Sequence, residues 1–377
     1  MLEELKQNES KRVLPLFRQF DHCIALRAAV EDNNPGRIFV DDVDNPRTAL
    51  ALTVGGYLLT GDCDNQKTNE ALRSFLAEQI FTGQIYVRNN KTMFLTVFPE
   101  TWEARLLELI PTHDIIKRNR YHYLCCAVKF DWRSNIPEGY TVRRLDCTLL
   151  NDTRIVFPDI IRRWMNIDEQ WGTVKNFLEK GKSFCVLCGH EVVSWCTPDC
   201  VAGHQIEVGI ITHPNHRQRS LAAISVAATA EYCLSHGFSA VGWHCNALNI
   251  GSWKTAEKVG FNRNREYAEY FYMYDLIQHL GELAWHNFQR KDYEKSVHYF
   301  EQLFAQQEEH PNDTYHIAAE AWAALKNKDR TLTYLRAAAE HGWKYPEYTK
   351  QVKEFFVVHN TSEWKAILQR MEKNAQG

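Results

Sequence analysis

The stretch Ile206–Phe261 constrains this 377-residue chain more than any other. A β-branched apolar run, Ile206 to Thr212, ends at His213-Pro214-Asn215, the pattern of a strand leaving a sheet. A turn with two arginines follows, Arg217-Gln218-Arg219-Ser220-Leu221-Ala222. The spacing then predicts an Ala-rich amphipathic helix from about Leu221 to Ser235, stopped at His236-Gly237. A second strand is expected over Ala240–Cys245, then a helix that opens near Asn249 and closes at Gly260. A strand, a cationic turn and a helix N-terminus together make a phosphate-binding device. Free N–H groups and the positive end of the helix dipole face the anion, and arginine adds charge.

These residues resemble the acetyl-CoA-binding core of the GNAT N-acetyltransferases. That family's turn reads Arg or Gln, two residues, Gly, one residue, then Gly or Ala. Here the matching positions are Arg217, Ser220 and Ala222, so Ser replaces the central Gly that lets backbone approach a pyrophosphate. Asn249-Ile-Gly-Ser252 and Ala256-Glu-Lys-Val-Gly-Phe261 resemble the Asn/Ser helix and Gly-Phe ending of the same fold. Asn45-Pro-Arg-Thr-Ala-Leu50 and the Trp243-His-Cys245, Asn249, Ser252, Ala256-Glu-Lys258 pattern look most like the zwittermicin A resistance type. The resemblance implies acetyl-CoA as co-substrate. Its binding residues would be Ile210, Ile211, Thr212, Arg217, Gln218, Arg219, Ser220, Leu221, Ala222, Asn249 and Ser252.

The resemblance covers residues 135–275, and the order strand, helices, three strands, helix, strand, helix, strand fits a mixed, splayed GNAT sheet. Tyr140–Leu145 reads as its first strand and Leu149–Phe177 as helical cover. The hairpin Phe184–Cys188, Gly189-His190, Glu191–Cys196 follows, and Tyr267–Tyr274 is the last strand. Residues 1–134 read as an α/β domain. Two strand-like runs, 36–42 and 49–62, are joined through Asn45-Pro46-Arg47, and helices are expected over 69–81 and 101–109. The resemblance makes this region a degenerate GNAT-like copy. It has no phosphate-turn equivalent, so its expected role is to pack against the active half and wall the substrate groove. Residues 276–377 read as all-helical. Ala284-Trp285 with Lys291-Asp292 recurs 37 residues on as Ala321-Trp322 with Lys328-Asp329, close to the tetratricopeptide period. Phe355–Met371 resembles a capping helix pair. This tail reads either as a groove for a protein or peptide partner, or as a docked cap or homodimer element. The expected fold is α/β (α+β) throughout the first two parts and all-α in the third.

Composition narrows the function classes. A net charge of −3 gives no general surface for nucleic acid or anionic membrane. No apolar run has the length of a membrane span, and the N-terminus lacks a signal-peptide profile. Eleven cysteines in a large chain without an export signal suggest reduced thiols and a cytoplasmic setting. Cys185, Cys188, Cys196 and Cys200 invite a zinc reading. In a hairpin, however, Cys185 and Cys188 fall on opposite faces, so buried small side chains and no metal are expected.

Acetyl transfer to an amine needs a base for the ammonium proton, a donor for the tetrahedral oxygen and a proton or dipole for the leaving thiolate. Glu207, ten residues before Arg217, stands where many GNATs place a carboxylate. The plain alternative is a Glu that only hydrogen-bonds a neighbouring element. His213 and His244 are other candidates for the base. A strand carboxylate between Ile206 and Val208 is expected to be desolvated, with its pKa raised. The oxyanion donor would be a backbone N–H within Ile210–Thr212. The Tyr that many GNATs use as general acid is replaced by Ala256, which leaves Ser252, a water, Tyr267, Tyr270 or Tyr272. Trp195, Trp243 and Trp253 line either the acceptor cavity or the core. The expected activity is transfer of acetyl to a primary amine of a small molecule, such as an amino-polyol antibiotic or a metabolite. A protein or peptide acetyltransferase and a non-catalytic acetyl-CoA-binding adaptor are the alternatives.

Overall fold

In a computed structural model that describes residues 2–87, 91–110, 114–165, 167–306 and 309–376, the chain forms two compact units, Met1–Phe271 and Tyr272–Gly377. The expected division at residue 134 falls inside the first unit. Its strands are β1 (Glu3–Glu4), β2 (Gly36–Val40), β3 (Thr48–Thr53), β4 (Gly56–Gly61), β5 (Thr92–Phe98), β6 (Ile116–Cys125), β7 (Tyr140–Arg144), β8 (Phe184–Cys188), β9 (Glu191–Ala202), β10 (Gln205–Thr212), β11 (Ala240–Asn246) and β12 (Asn262–Met273). They join in one twelve-stranded sheet, ordered β1-β2-β3-β4-β5-β12-β6-β11-β10-β9-β8-β7.

The N-terminal part contributes more than a flanking domain. Its strand β6 lies between β11 and β12, with His122 opposite His244 and Arg120 opposite Tyr267. The sequence reading assigns no element there, since Lys117-Arg-Asn-Arg-Tyr-His lacks the apolar alternation of a half-buried strand. In the sheet, alternation sends Tyr123 and Cys125 into the core and Arg120 and His122 to the other face. The run 49–62 is likewise two strands. Gly56 takes φ +124°, and a Cβ there would meet Phe94 O at 2.8 Å, so the chain turns at a position that only glycine suits.

Helix α1 (Ile24–Val30) lies on one face of the sheet, packing Ile24, Ala25 and Ala28 against Cys200 and Ala202 of β9. Helices α2 (Gln66–Phe75) and α3 (Glu103–Leu109) complete the N-terminal part, and α2 runs on as a π-helical turn to Ile80. The expected cover over 149–177 is four short helices, α4 (Cys147–Asn151), α5 (Asp159–Met165), α6 (Ile167–Trp171) and α7 (Val174–Lys180). Residue 166 and the side chains of 163–165 lie outside the described residues.

Helix α8 (Leu221–Ser235) packs Ala223, Val226, Ala227 and Ala230 on the opposite sheet face, against Val208, Val241, Trp243 and Cys245. It is not amphipathic in the expected sense. Ala223 through Ala230 are all buried, because small side chains let β8, β9 and the Phe130–Ile136 segment close around them. Helix α9 (Ile250–Val259) starts where Asn249 Oδ1 accepts from Ser252 N at 3.1 Å, and it ends on Gly260 at φ +116°.

The second unit is helical. Helices α10 (Leu276–Gln289) and α11 (Tyr293–Gln306) form one pair, and α12 (Asn312–Ala324) and α13 (Lys328–Glu340) the next. Ala284 and Ala321 are fully buried at matching places, and Lys291 and Lys326 take left-handed conformations at the two inter-helix turns. Helices α14 (Pro346–Gln351) and α15 (Ser362–Gln376) close the unit. No helix among the described residues is long and apolar enough to cross a membrane.

Candidate active site

Strands β10 and β11 run parallel and pair only over Gln205–Glu207 with Ala240–Gly242. Beyond Glu207 they part, and the register of β10 on β9 shifts between Glu207 and Val208. His213 N donates to Val193 O at 2.8 Å. Antiparallel alternation then directs the N–H of Ile211 toward β9, and those of Ile210 and Thr212 toward the gap. Two expected cofactor residues thus offer free backbone donors where an acyl chain could thread between the strands.

The turn after β10 is built from backbone. Gln218 and Ser220 both take φ +61°, which bends successive N–H groups toward one side. Arg217 N closes onto Pro214 O at 3.2 Å, and the N–H groups of Gln218, Arg219 and Ser220 find no backbone acceptor among the described residues. A left-handed conformation explains why Gly is usual at position 220. Ser tolerates it at a cost of about 1 kcal/mol.

A residue that the turn pattern does not contain supports it. Lys258 Nζ donates to Ser220 Oγ at 2.9 Å, bringing an ammonium from α9 to the anion-binding end of α8. The pattern could have suggested Lys258, because it sits two residues before the capping Gly260. The arginines diverge. Arg217 is exposed and its Nε donates to Thr212 O at 3.4 Å, whereas Arg219 Nη1 donates to Tyr140 Oη at 2.7 Å. Leu221 and Ala222 open α8 behind the turn. Asn249 caps α9, and Ser252 Oγ accepts from Trp243 Nε1 at 3.1 Å, with its own hydroxyl within donating reach of the Cys245 sulfur. Trp195 and Trp243 are core residues.

Glu207 points to the other sheet face, the one away from α8. Its Oε1 accepts from His244 Nε2 at 3.0 Å and from Ile24 N at 3.4 Å, and its Oε2 accepts from Cys200 Sγ at 3.5 Å. His244 Nδ1 bonds Tyr267 Oη at 2.9 Å, so a chain runs Glu207–His244–Tyr267. His122 stacks on His244 with ring centroids 4.5 Å apart, and its Nδ1 bonds Asn264 at 3.0 Å. His22 packs on Tyr267 at 4.6 Å, and its Nδ1 accepts from Arg265 at 3.0 Å. Of the three tyrosines considered as acids, Tyr267 therefore joins the cluster. His122 and His22, absent from the sequence reading, come from distant segments that only the sheet order brings together. His213 caps its own turn through Asn215 N at 3.4 Å.

The expected rise in the Glu207 pKa does not occur. Burial pushes it up, but the imidazoles of His244 and His122, with Ile24 N–H, outweigh burial and hold the carboxyl below its ordinary value. Burial, helped by His244, lowers His122 to about 3, and burial lowers His22 to about 4. Glu207 is thus a carboxylate bonded to His244, beside two imidazoles, His122 and His22, that burial keeps neutral, and it is better suited to polarise His244 than to act unaided. The hairpin cysteines are spread over separate surroundings. Cys185 and Cys196 are fully buried, Cys200 donates to Glu207, and all eleven cysteines are free thiols.

Comparison with known proteins decides the family. The sequence profile of the GNAT acetyltransferase family matches residues 14–270, well over half of the chain. The protein belongs to that family. The match takes in the N-terminal part and β6 as well as the core around Ile206–Phe261. An uncharacterized N-acetyltransferase of Bacillus subtilis (strain 168), YdfB, is 25% identical over 271 residues, covering 71% of this chain and 98% of that one. The crystal structure of a GCN5-related N-acetyltransferase-like protein from Streptococcus suis superposes with a TM-score of 0.53 at 22% identity, over 70% of this chain and 98% of that one. It shares the fold. The protein is a GNAT-type N-acetyltransferase, a family whose acetyl donor is acetyl-CoA.

Proposed function

We propose that the protein moves an acetyl group from acetyl-CoA to a primary amine of a small molecule by direct attack in a ternary complex. The observation that carries this reading is the position of the Glu207–His244 pair. It lies where β10 and β11 part, on the sheet face away from α8, so donor and acceptor can meet through the gap from opposite sides. Both ring nitrogens of His244 are engaged, Nε2–H by Glu207 and Nδ1 by Tyr267, so the ammonium proton is relayed: Tyr267 Oη accepts it as its own proton passes to His244 Nδ1, and Glu207 stabilises the imidazolium that results. Ile210 or Thr212 N–H serves the tetrahedral oxygen, and Ser252 serves the leaving thiolate. Arg217, the 218–222 backbone and Lys258 hold the pyrophosphate.

An amino-polyol antibiotic, as in the zwittermicin A resistance type, or a metabolite of similar polarity is the acceptor class. Free thiols and the absence of a long apolar helix among the described residues suit a cytoplasmic enzyme. The 276–377 unit is read as a tetratricopeptide-like partner surface. Its exposed Tyr345, Tyr348 and Phe356 favour a protein or peptide partner there, with a homodimer as the other occupant. The test is a panel of amines incubated with acetyl-CoA and the full chain, read by thiol release and mass shift. Acetylation of small amines supports the reading. Acetylation of peptides alone moves it to a protein acetyltransferase, and neither product makes the chain an acetyl-CoA-binding adaptor.

A further inference from the structure

We infer that His122, Glu207 and His244 form a site for one divalent transition-metal ion of the zinc class. This goes beyond the acetyl-transfer reading and does not depend on it. It also departs from the metal-free expectation of the sequence.

Among the described residues, these three alone bring metal-ligating atoms together, all within 4.8 Å of one another. An ion bound at about 2.0–2.2 Å from each donor wants them nearer still, and His244 Nε2 and Glu207 Oε1 already stand at 3.0 Å. Two imidazoles and one carboxylate form a donor set that suits zinc, and also iron or manganese with open positions. The ligands sit on three adjacent strands, β10, β11 and β6, so the sheet fixes their separation.

Orientation is set from behind. His244 Nδ1 lies 2.9 Å from Tyr267 Oη, which can accept its proton, and His122 Nδ1 lies 3.0 Å from Asn264 Nδ2; turning the Asn264 amide over presents Oδ1 as the acceptor there, which leaves Nε2 of both rings for the interior. That is how metal-binding histidines are ordinarily oriented. The carboxylate is steadied by Cys200 Sγ and Ile24 N. Gly242 supplies the room. A Cβ there would lie 2.9 Å from Glu207 Cγ and 3.6 Å from His122 Nε2, so a side chain at 242 would fill the space the three share. His122 and Glu207 are buried, and the 15% exposure of the His244 side chain marks the side of entry. The ion would replace the proton between His244 and Glu207, so metal and proton compete for the same lone pairs.

The test uses the full chain without acetyl-CoA or amine, so its outcome is separate from that of the transfer reading. Protein stripped with a chelator is titrated with Zn²⁺ against a chromophoric competitor and passed over gel filtration for metal analysis. One retained ion per chain is expected. The affinity should fall at least about tenfold in His122→Gln and in His244→Gln, and by a smaller factor in Tyr267→Phe. Co²⁺ loading should give visible bands without a thiolate charge-transfer band, which excludes binding at the free cysteines. Circular dichroism checks that each variant is folded; should His244→Gln unfold, His122→Gln and Gly242→Ala carry the comparison. No retained ion, equal retention in folded variants, or a cobalt–thiolate band would each overturn the site.

Discussion

The cofactor turn and the acceptor-side cluster lie at two ends of one strand, yet they are built by opposite means. The turn at 217–222 is contiguous and made of backbone. Its ligating groups are N–H groups aimed by two left-handed residues, with one lysine brought in from α9. The cluster is made of side chains from five separate stretches, around His22, His122, Glu207, His244 and Tyr267. Sequence local to the turn dictates the turn. The cluster exists only once β6 is laid between β11 and β12 and α1 covers β10. The two should therefore fail separately: damage to the turn should weaken cofactor binding, and damage to the cluster should slow proton transfer.

The largest effect is expected at Glu207. Glu207→Gln keeps the shape but removes the charge that polarises His244, and turnover with the amine selected from the panel should fall about a hundredfold. Steady-state kinetics at saturating acetyl-CoA measure it, and a fall under threefold would make Glu207 a mere tie to Ile24 N. Next come Arg217→Ala and Ser220→Asp. Loss of a cation or introduction of a carboxylate at the pyrophosphate end of α8 should weaken acetyl-CoA binding by about tenfold or more in calorimetry. Unchanged affinity in both would move the phosphate elsewhere.

Lys258→Met comes third. It retains the stem over the Phe130 ring, 4.9 Å from the Nζ position, and removes only the charge. A loss of about threefold to tenfold in acetyl-CoA affinity, shrinking as salt rises, is expected.

Acid should destabilise the cluster before it affects the turn. His22 and His122 are held neutral, with pKa values of about 4 and about 3, below the unfolded value of 6.5. The unfolded chain binds more protons than the native one from about pH 6.5 downward. Stability from these two residues is therefore whole above that pH and is lost as pH falls toward about 4 for His22 and about 3 for His122. Replacing His22 with Gln should flatten this part of a melting-temperature profile. An equally steep profile would clear His22 of the effect. The smallest change belongs to Ser220→Gly. Relief of the left-handed strain and loss of the Lys258 contact nearly offset, so affinity should stay within about threefold and stability rise by up to about 1 kcal/mol.

The same contrast explains what could be read before folding. The termini of α8 and α9, the 184–196 hairpin and the strand order from β7 to β12 follow from short-range signals, such as Gly237, Asn249 and Gly260, and from alternation of buried residues. The division of 49–62 was hidden by its unbroken hydrophobicity, interrupted only by Gly55-Gly56. Strand β6 was hidden because its first half, Lys117-Arg-Asn-Arg120, is polar and mostly charged, which reads as surface. Arg120 and His122 line a polar layer between the sheet and the N-terminal segment. The direction of the Glu207 shift was missed for the same reason: desolvation is visible from Ile206 and Val208, whereas the opposing imidazoles come from 37 residues downstream and from β6.

The most direct test of the separation is to measure, on one preparation each of Glu207→Gln and Arg217→Ala, the acetyl-CoA dissociation constant by calorimetry and the single-turnover rate of acetyl transfer at saturating acetyl-CoA. The account predicts a crossed pattern. Glu207→Gln should keep its affinity within about twofold and lose about a hundredfold in rate, while Arg217→Ala should lose about tenfold in affinity and keep its rate once saturated. Two variants that lose affinity and rate in parallel would contradict it, and would make the turn and the cluster a single cooperative site.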